Sequence, residues 1–374
     1  LTDLSPSQRT WNVFKRNKIA VAGLVFIVLL AAASILGYLV MPDSTPDANN
    51  MTIQLNIKKP GSTFMMLRLR KTEPVDTVNI FSKMLFGQPS FYRDIPITAY
   101  HYAKDSVYVD EYIGPEDKPE RKAYYAPAGG HYGDKTPAPG GWGVIHKTYW
   151  LGTDVYGRDL LSRLILGSRV SLSVGLMSVI ISLVLGITVG AAAGYFGGWI
   201  DGALSWLMNI LWSLPALLLV IAISFALGKG LWQIFIAVGL SMWVEVARLV
   251  RGQVLSLKQV EYVEAARSLG FSNTRIIARH ILPNIIGPIL VLASSNFASA
   301  ILLEAGLSFL GFGAQPPMPT WGSMLKEHYG YIVMDSAYLA ILPGLAIMLV
   351  VYAFNLVTVG LRDAFDIKSQ TTRI

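Results

Sequence analysis

Six stretches of this sequence run for about a membrane thickness or more with almost no ionisable residue: 19–41, 170–200, 202–228, 230–247, 281–303 and 336–361. In hydrocarbon every backbone N–H and C=O needs a partner within the protein, so an apolar run of about 20 residues is read as a spanning α-helix. The glycines at 194, 197 and 198 are expected to end the second helix before its run is over, Glu245 lies inside the short fourth run, and Pro283 and Pro288 sit near the start of the fifth. The expectation is an all-α integral membrane protein with six transmembrane helices. The first run is too long for a signal-peptide core and lacks a convincing cleavage site, so it is read as retained.

Charge location sharpens this picture. The chain is 53% hydrophobic and 15% charged, against roughly a quarter charged for soluble domains. A net charge of +7 would fit nucleic acid, but the basic residues flank apolar runs, which points to a bilayer and to no nucleic-acid partner. Arg9, Lys15, Arg16 and Lys18 precede the first run; Arg248, Arg251, Lys258, Arg267, Arg275 and Arg279 follow the fourth; Arg362, Lys368 and Arg373 follow the sixth. Only Lys229 and Lys326 occupy the short loops on the other side. Both termini are therefore expected in the cytoplasm. Residues 1–18, with Trp11 and Phe14 among the basic residues, read as an amphipathic cytoplasmic segment, a disordered tail being the alternative for the first ten. Residues 362–374 form a cytoplasmic tail. With no cysteine, disulfides and thiolate chemistry are excluded, and His101, His131, His146, His280 and His328 show no metal-ligand spacing, so no metal is expected.

Residues 42–169 are then extracytoplasmic. Alternation over Met51-Thr52-Ile53-Gln54-Leu55-Asn56-Ile57 and Ser106-Val107-Tyr108-Val109 predicts strands, and Pro and Gly punctuation over 126–141 predicts a loop. The reading is a small β-rich insertion between the first two spans. At its end, Thr153 or Asp154 is expected to cap a helix beginning near Gly157, with Leu160, Leu161, Leu164 and Ile165 on its apolar face and Arg158 and Arg163 reaching toward headgroups. That lead-in is either an outer gate or an interfacial segment. The Gly- and Pro-rich stretch after Glu304 reads as a re-entrant or surface-lying turn.

The segment over 251–283 carries the most functional information. Glu261-Tyr262-Val263-Glu264-Ala265-Ala266-Arg267-Ser268-Leu269-Gly270 reads as a short helix ending where Gly270 adopts a left-handed cap. Ser272 or Asn273 then caps a second helix that meets Pro283. Ala265 and Ala266 leave a small surface for close approach by another protein, with Glu264 and Arg267 as charges and Tyr262, Leu269 and Phe271 as apolar anchors.

Glu264-Ala265-Ala266, then Gly270, then Ile281-Leu282-Pro283 resembles the EAA loop of ABC-importer permeases. Leu151-Gly152-Thr153-Asp154-Val155-Tyr156-Gly157-Arg158-Asp159 and Glu304-Ala305-Gly306-Leu307-Ser308-Phe309-Leu310-Gly311, with Pro319-Thr320-Trp321-Gly322, are similar to segments of the dipeptide, oligopeptide and nickel importers, and point to the C-type permease. The resemblance covers the amphipathic start and nearly all of 151–366, but not 42–150, which is longer than the family leads one to expect. It implies the type I importer permease fold, over 170–361, and coupling to ATPase subunits through Glu264, Ala265, Ala266, Gly270, Ile281, Leu282 and Pro283. It also implies a heterodimer with a second permease, two ATP-binding subunits and an extracytoplasmic solute-binding protein, in a bacterial inner membrane. The imported solute would be a peptide, nickel, glutathione or a related small molecule.

The chain has no phosphate loop, since Gly228-Lys229-Gly230 lacks the preceding glycine. It is therefore not an ATPase, and no cofactor is expected on it; ATP and Mg would sit on the partners. Asn209, Trp212, Ser213 and Pro215 in the third run, and Ser294, Ser295, Asn296 and Ser299 in the fifth, are candidates to line the path, interhelical hydrogen bonding being the alternative. Gly186, Gly190 and Gly194 form a ridge for helix packing. Glu245 and Arg248 are expected to pair. Two rivals remain: a secondary transporter or channel, which would place more ionisable residues deep in its spans, and a membrane-anchored receptor or assembly factor working through its outer domain.

Overall fold

The computed structural model describes residues 5–71, 73–103, 106–115, 117–125, 142–228 and 230–366. Lys229, Lys368, Arg373, His131 and the loop expected over 126–141 lie outside them. The N-terminal segment is helical: α1 (Pro6–Arg16) starts with a capping box in which Ser5 and Gln8 satisfy each other's backbone N–H groups. Its Phe14 is buried beside Ala20, Val357 and Ala364. The first span is α2 (Lys18–Ile35), capped by Asn17, followed by a single turn α3 (Gly37–Val40).

An antiparallel sheet stands between the first and second spans, built from β1 (Ser62–Arg70), β2 (Tyr92–Ala103), β3 (Ser106–Glu111), β4 (Glu120–Tyr125) and β5 (Trp142–Tyr149), in the order β4-β3-β2-β1-β5. A short helix α4 (Ile80–Phe86) joins β1 to β2. Leu67, Ile95, Ile97, Val107 and Val109 form the sheet's own core, so the alternation at Val107 and Val109 is a true strand signal. The alternation over 51–57 is not. Those residues make a 3-10 turn at Ile53–Leu55, because Leu55 is buried beneath Met66 and Tyr149 by packing and not by strand pairing. The root of the domain is a knot of polar bonds: the Thr153 hydroxyl accepts from Lys58 N–H at 2.8 Å and donates to the Leu55 carbonyl at 2.5 Å, while the Tyr338 hydroxyl donates to the Lys58 carbonyl at 2.8 Å.

With Thr153 engaged in that knot, the cap of the next helix is Asp159, whose carboxylate accepts from the Ser162 backbone N–H at 2.8 Å. The helix, α5 (Leu160–Phe196), runs unbroken for 37 residues, so the lead-in and the second span are one rod with no boundary at 169/170. Gly197 ends it, as the glycines predict. The third run is not a straight span. It divides into α6 (Gly198–Trp212) and α7 (Ala216–Leu227), bent by 96° across Ser213-Leu214-Pro215, where proline has no N–H with which to continue the ladder.

Helix α8 (Leu231–Leu257) outlasts its apolar run by nearly three turns. Beyond it come α9 (Glu261–Ser268) and α10 (Asn273–Ile276), and the latter continues through a wide π turn and a 3-10 turn at Pro283 into α11 (Ile286–Leu310). The Gly-rich stretch after Glu304 is thus still helix for six residues, until Gly311 takes φ +92°. Two further helices, α12 (Trp321–His328) and α13 (Tyr338–Phe365), complete the described chain. Among the described residues five helices are long and apolar enough to cross a membrane, six if the bent pair counts as one span.

The glycine ridge sets the tightest packing. A Cβ on Gly186 would fall 2.8 Å from the Trp243 carbonyl oxygen, and one on Gly194 2.8 Å from that of Arg251; Gly190 faces Ala247 in the same way. Helices α5 and α8 therefore touch backbone to backbone over the three. Gly190→Ala is expected to destabilise the protein by about 1–3 kcal/mol through overpacking, lowering the thermal midpoint in detergent, whereas Gly202→Ala, with nothing within 4 Å, leaves it unchanged.

Candidate functional site

Helix α9 has two faces. Val263 and Ala266 turn inward onto Tyr195, Val254, Ile276 and Ile281, while Glu264, Ala265 and Leu269 remain exposed, Leu269 at 73%. The two alanines expected to share one surface are thus divided: Ala265 is presented and Ala266 seats the helix. Glu261 and Glu264 fall in the first turn and Arg267 in the last, matching the helix dipole. The end is a Schellman motif, with Phe271 N–H bonded to the Ala266 carbonyl at 3.2 Å, Gly270 N–H to that of Arg267 at 3.0 Å, and Gly270 at φ +76°.

Side chains key this loop to three long helices. The Tyr195 hydroxyl, near the end of α5, donates to Asn273 Oδ1 at 2.9 Å. Phe271 lies between the Arg275 guanidinium, 4.2 Å from its ring centre, and the His280 ring stacked at 5.9 Å. Asn284 donates to the His280 carbonyl at 2.6 Å and to the Tyr262 hydroxyl at 3.2 Å. Ile281 is buried, Leu282 half-buried and Pro283 exposed. Ser272 stands at the cap position of α10 but makes no side-chain cap bond.

The polar candidates in the spans separate into different places. A cavity of about 450 Å³ opens between the α6–α7 bend, α8 and α11, lined by Trp212, Leu214, Ser241, Glu245, Ser299 and Leu303 among others. Ser295 instead lines a second cavity, of about 440 Å³, with Thr358 and Arg362. Asn296 is buried within the bundle, Ser213 returns its hydroxyl to the Ile210 carbonyl at 2.7 Å, and Pro215 sets the bend. Glu245 and Arg248 do not pair. Arg248 donates to Asn209 Oδ1 at 2.9 Å and lies over the Trp212 ring at 4.5 Å, leaving the Glu245 carboxylate to the cavity wall.

Two buried features escaped the sequence. Glu304 is fully buried between α5 and α11, where Ser171 and Ser308 donate to its two oxygens at 2.9 and 2.7 Å. Arg158 and Arg163, expected to reach for headgroups, are buried at 3% and 2% exposure. Arg158 Nε meets Asp154 at 2.6 Å and its Nη2 meets Glu327 at 3.0 Å, while Arg163 stands 3.6 Å from Asp154. Asp154, Glu327 and His328 offer atoms within 4.8 Å of one another, and the two carboxylates are paired with the Arg158 and Arg163 guanidinium groups as an ion-pair lock. The only sequence signal for it is the density of charge in 154–163.

Residues 186–369 match the family described as the binding-protein-dependent transport system inner membrane component, and residues 5–59 match the N-terminal transmembrane domain of oligopeptide transport permease C. The glutathione transport system permease protein GsiD of Pectobacterium atrosepticum is 45% identical over 222 residues, covering 59% of this chain and 73% of its own. The chain belongs to this permease family. The dipeptide transport system permease protein DppC of Alkalihalophilus pseudofirmus is 44% identical over 223 residues, 60% of this chain and 73% of its own. An inward-facing MetNI methionine ABC transporter structure aligns at a TM-score of 0.42 and 20% identity, over 54% of this chain and 97% of that one. The permease is a multi-pass inner-membrane subunit of an ABC importer and is not itself the ATPase. As a binding-protein-dependent component it works with an ATPase and a binding protein.

Removing Asp154 would leave two buried guanidinium groups to share the one carboxylate of Glu327. Asp154→Ala is expected to cost about 3–5 kcal/mol of stability, read as a lower unfolding midpoint of the purified permease. Burial holds the His328 imidazole below its ordinary range, with Arg163 reinforcing this and the Met324 carbonyl, Asp154 and Glu327 opposing it. The unfolded chain thus takes up this proton first, so stability is full above about pH 6.5 and falls as pH drops below it. A midpoint series from pH 7.5 to 5.5, roughly spanning that value, should show the fall, and His328→Gln should reduce it.

Proposed function

We propose that the permease pairs with a second permease and two ATP-binding subunits, receives a dipeptide- or glutathione-class solute from an extracytoplasmic binding protein, and couples to ATP hydrolysis through α9. The observation that carries this is the division of α9 into an exposed edge, Glu264-Ala265 with Leu269, and an inner face, Val263 and Ala266, seated against the ends of α5 and α8 and the approach to α11. An ATPase gripping that edge displaces three spans together, a two-state element biased from a distant site. Gly270, Ile281, Leu282 and Pro283 belong to the same unit, since they end α9 and join α10 to α11. ATP and Mg stay on the partner subunits, and this chain binds no cofactor of its own.

In this reading both termini and α9 face the cytoplasm, supported by the basic residues of α1 and of 248–279, and residues 42–169 stand outside. Glu245, Ser241 and Ser299 line this chain's half of the path. Asn209 contributes by holding Arg248, and Ser213 and Pro215 by shaping the bend, whereas Ser295 and Asn296 lie away from this cavity. The family match and the two relatives support the solute class.

The test is a pull-down of the tagged permease from mildly solubilised membranes, beside a Glu264→Arg/Gly270→Pro variant. Proline cannot take the φ of +76° that ends α9, and Arg reverses the exposed charge. Wild type should bring down ATP-binding subunits and a second permease; the variant should lose the ATP-binding subunits by at least about tenfold, equivalent to 1.4 kcal/mol. Folded wild type that recovers no ATPase subunit would overturn the coupling role of α9.

A further inference from the structure

Helix α4, in the sheet domain, presents its apolar side chains outward. Ile80, Phe81, Leu85 and Phe86 are exposed at 65%, 73%, 53% and 69%, while its one cation, Lys83, turns inward to a polar cleft shared with Asp43, Gln88 and Asp94. This inverts the arrangement of a helix whose outer face meets water. Four large apolar side chains on two helical turns need an apolar neighbour.

The location of α4 says which neighbour. The Arg169 guanidinium, from α5, donates to the carbonyls of Ser34 and Ile35 at 3.0 and 2.8 Å, where the first span ends, and to those of Met84 and Leu85 at 2.8 and 2.7 Å, where α4 ends. One planar group thus fixes the end of α4 beside the end of α2, satisfying final carbonyls of both helices. Arg169 also lies over the Tyr38 ring at 5.1 Å, and Gln88 N–H bonds to the Ser44 carbonyl at 2.9 Å beyond the end of α4. The exposed surface of α4 adjoins that of α2 and α3, where Ile35, Leu36, Leu39 and Val40 are likewise exposed.

We propose that α4 is an interfacial anchor: Ile80, Phe81, Leu85 and Phe86 sit in the headgroup–acyl boundary of the phospholipid bilayer beside the first span, with Arg169 setting their depth. The sheet is then tethered to the membrane along the α4 edge as well as through its covalent connections, and keeps a constant height above the spans. The occupant is lipid because the patch continues the apolar surface of a spanning helix at that helix's end, which is where amphipathic segments lie in the bilayer plane.

The cysteine-free sequence provides the test. Full-length Phe81→Cys and Leu85→Cys variants, each nitroxide-labelled, are placed in nanodiscs of phosphatidylethanolamine and phosphatidylglycerol, beside Tyr108→Cys on the exposed face of β3. Collision with oxygen should rise and collision with a nickel chelate should fall several-fold at 81 and 85 relative to 108. Both substitutions replace exposed side chains, so the two labels report independently on a folded chain. Chelate access at 81 and 85 equal to that at 108 would overturn the proposal. Shielding from oxygen and chelate alike, appearing only once partner subunits are added, would overturn it in favour of a protein seat.

Discussion

The backbone contact between α5 and α8 is the constraint on which the rest of the permease depends. Three glycines spaced four residues apart remove every Cβ from one face of α5 along two turns, and α8 fills that space with the carbonyls of Trp243, Ala247 and Arg251. Hydrocarbon supplies no hydrophobic drive between spans, so close van der Waals packing of this kind is what fixes their relative position. Once α8 is fixed, its other face presents Glu245 and Ser241 to the cavity at the α6–α7 bend. The far end of α5 brings Tyr195 under the α9–α10 segment.

Polar interactions do the remaining positioning, and they gather where the chain leaves the membrane. Asp154, Arg158, Arg163 and Glu327 bind the start of α5 to α12, and Thr153 and Tyr338 bind both to the root of the sheet. Burial makes these ties strict, because a charge left without its partner there is far more costly than one in water. Arg169 performs the same service between α2, α4 and α5. The inserted sheet is therefore attached through several bonded points and does not hang from two linkers.

The segment from α9 to Pro283, proposed above as the coupling element, follows a different logic. Its inner face is apolar and packed, its outer edge presents Glu264, Ala265 and the exposed Leu269, and its end is closed by a Schellman turn that glycine alone accommodates without strain. A rigid unit with one free edge and connections to α5, α8 and α11 transmits displacement without absorbing it. Its sequence signature is legible because each of those requirements falls on a residue type, at a spacing fixed by the helix.

By itself the sequence determined most of the spans, the strand at Val107 and Val109, the end of α5 at its glycines, and the short helix α9 with its Gly270 cap. These are properties of periodicity, backbone permissiveness and the cost of unbonded peptide groups in lipid, all of which act locally. Only tertiary structure decided that the lead-in joins the second span as one helix, that the third run breaks by 96°, and that residues 51–57 turn instead of pairing. It also decided that Arg248 serves Asn209 and leaves Glu245 to the cavity, and that Arg158 and Arg163 point into the protein. For the side chains and the 51–57 turn the outcome depends on a partner more than thirty residues away in the chain, such as Arg158 with Glu327, Arg248 with Asn209 or Leu55 with Tyr149. Local propensity cannot register whether such a partner is there, and burial makes its presence decisive.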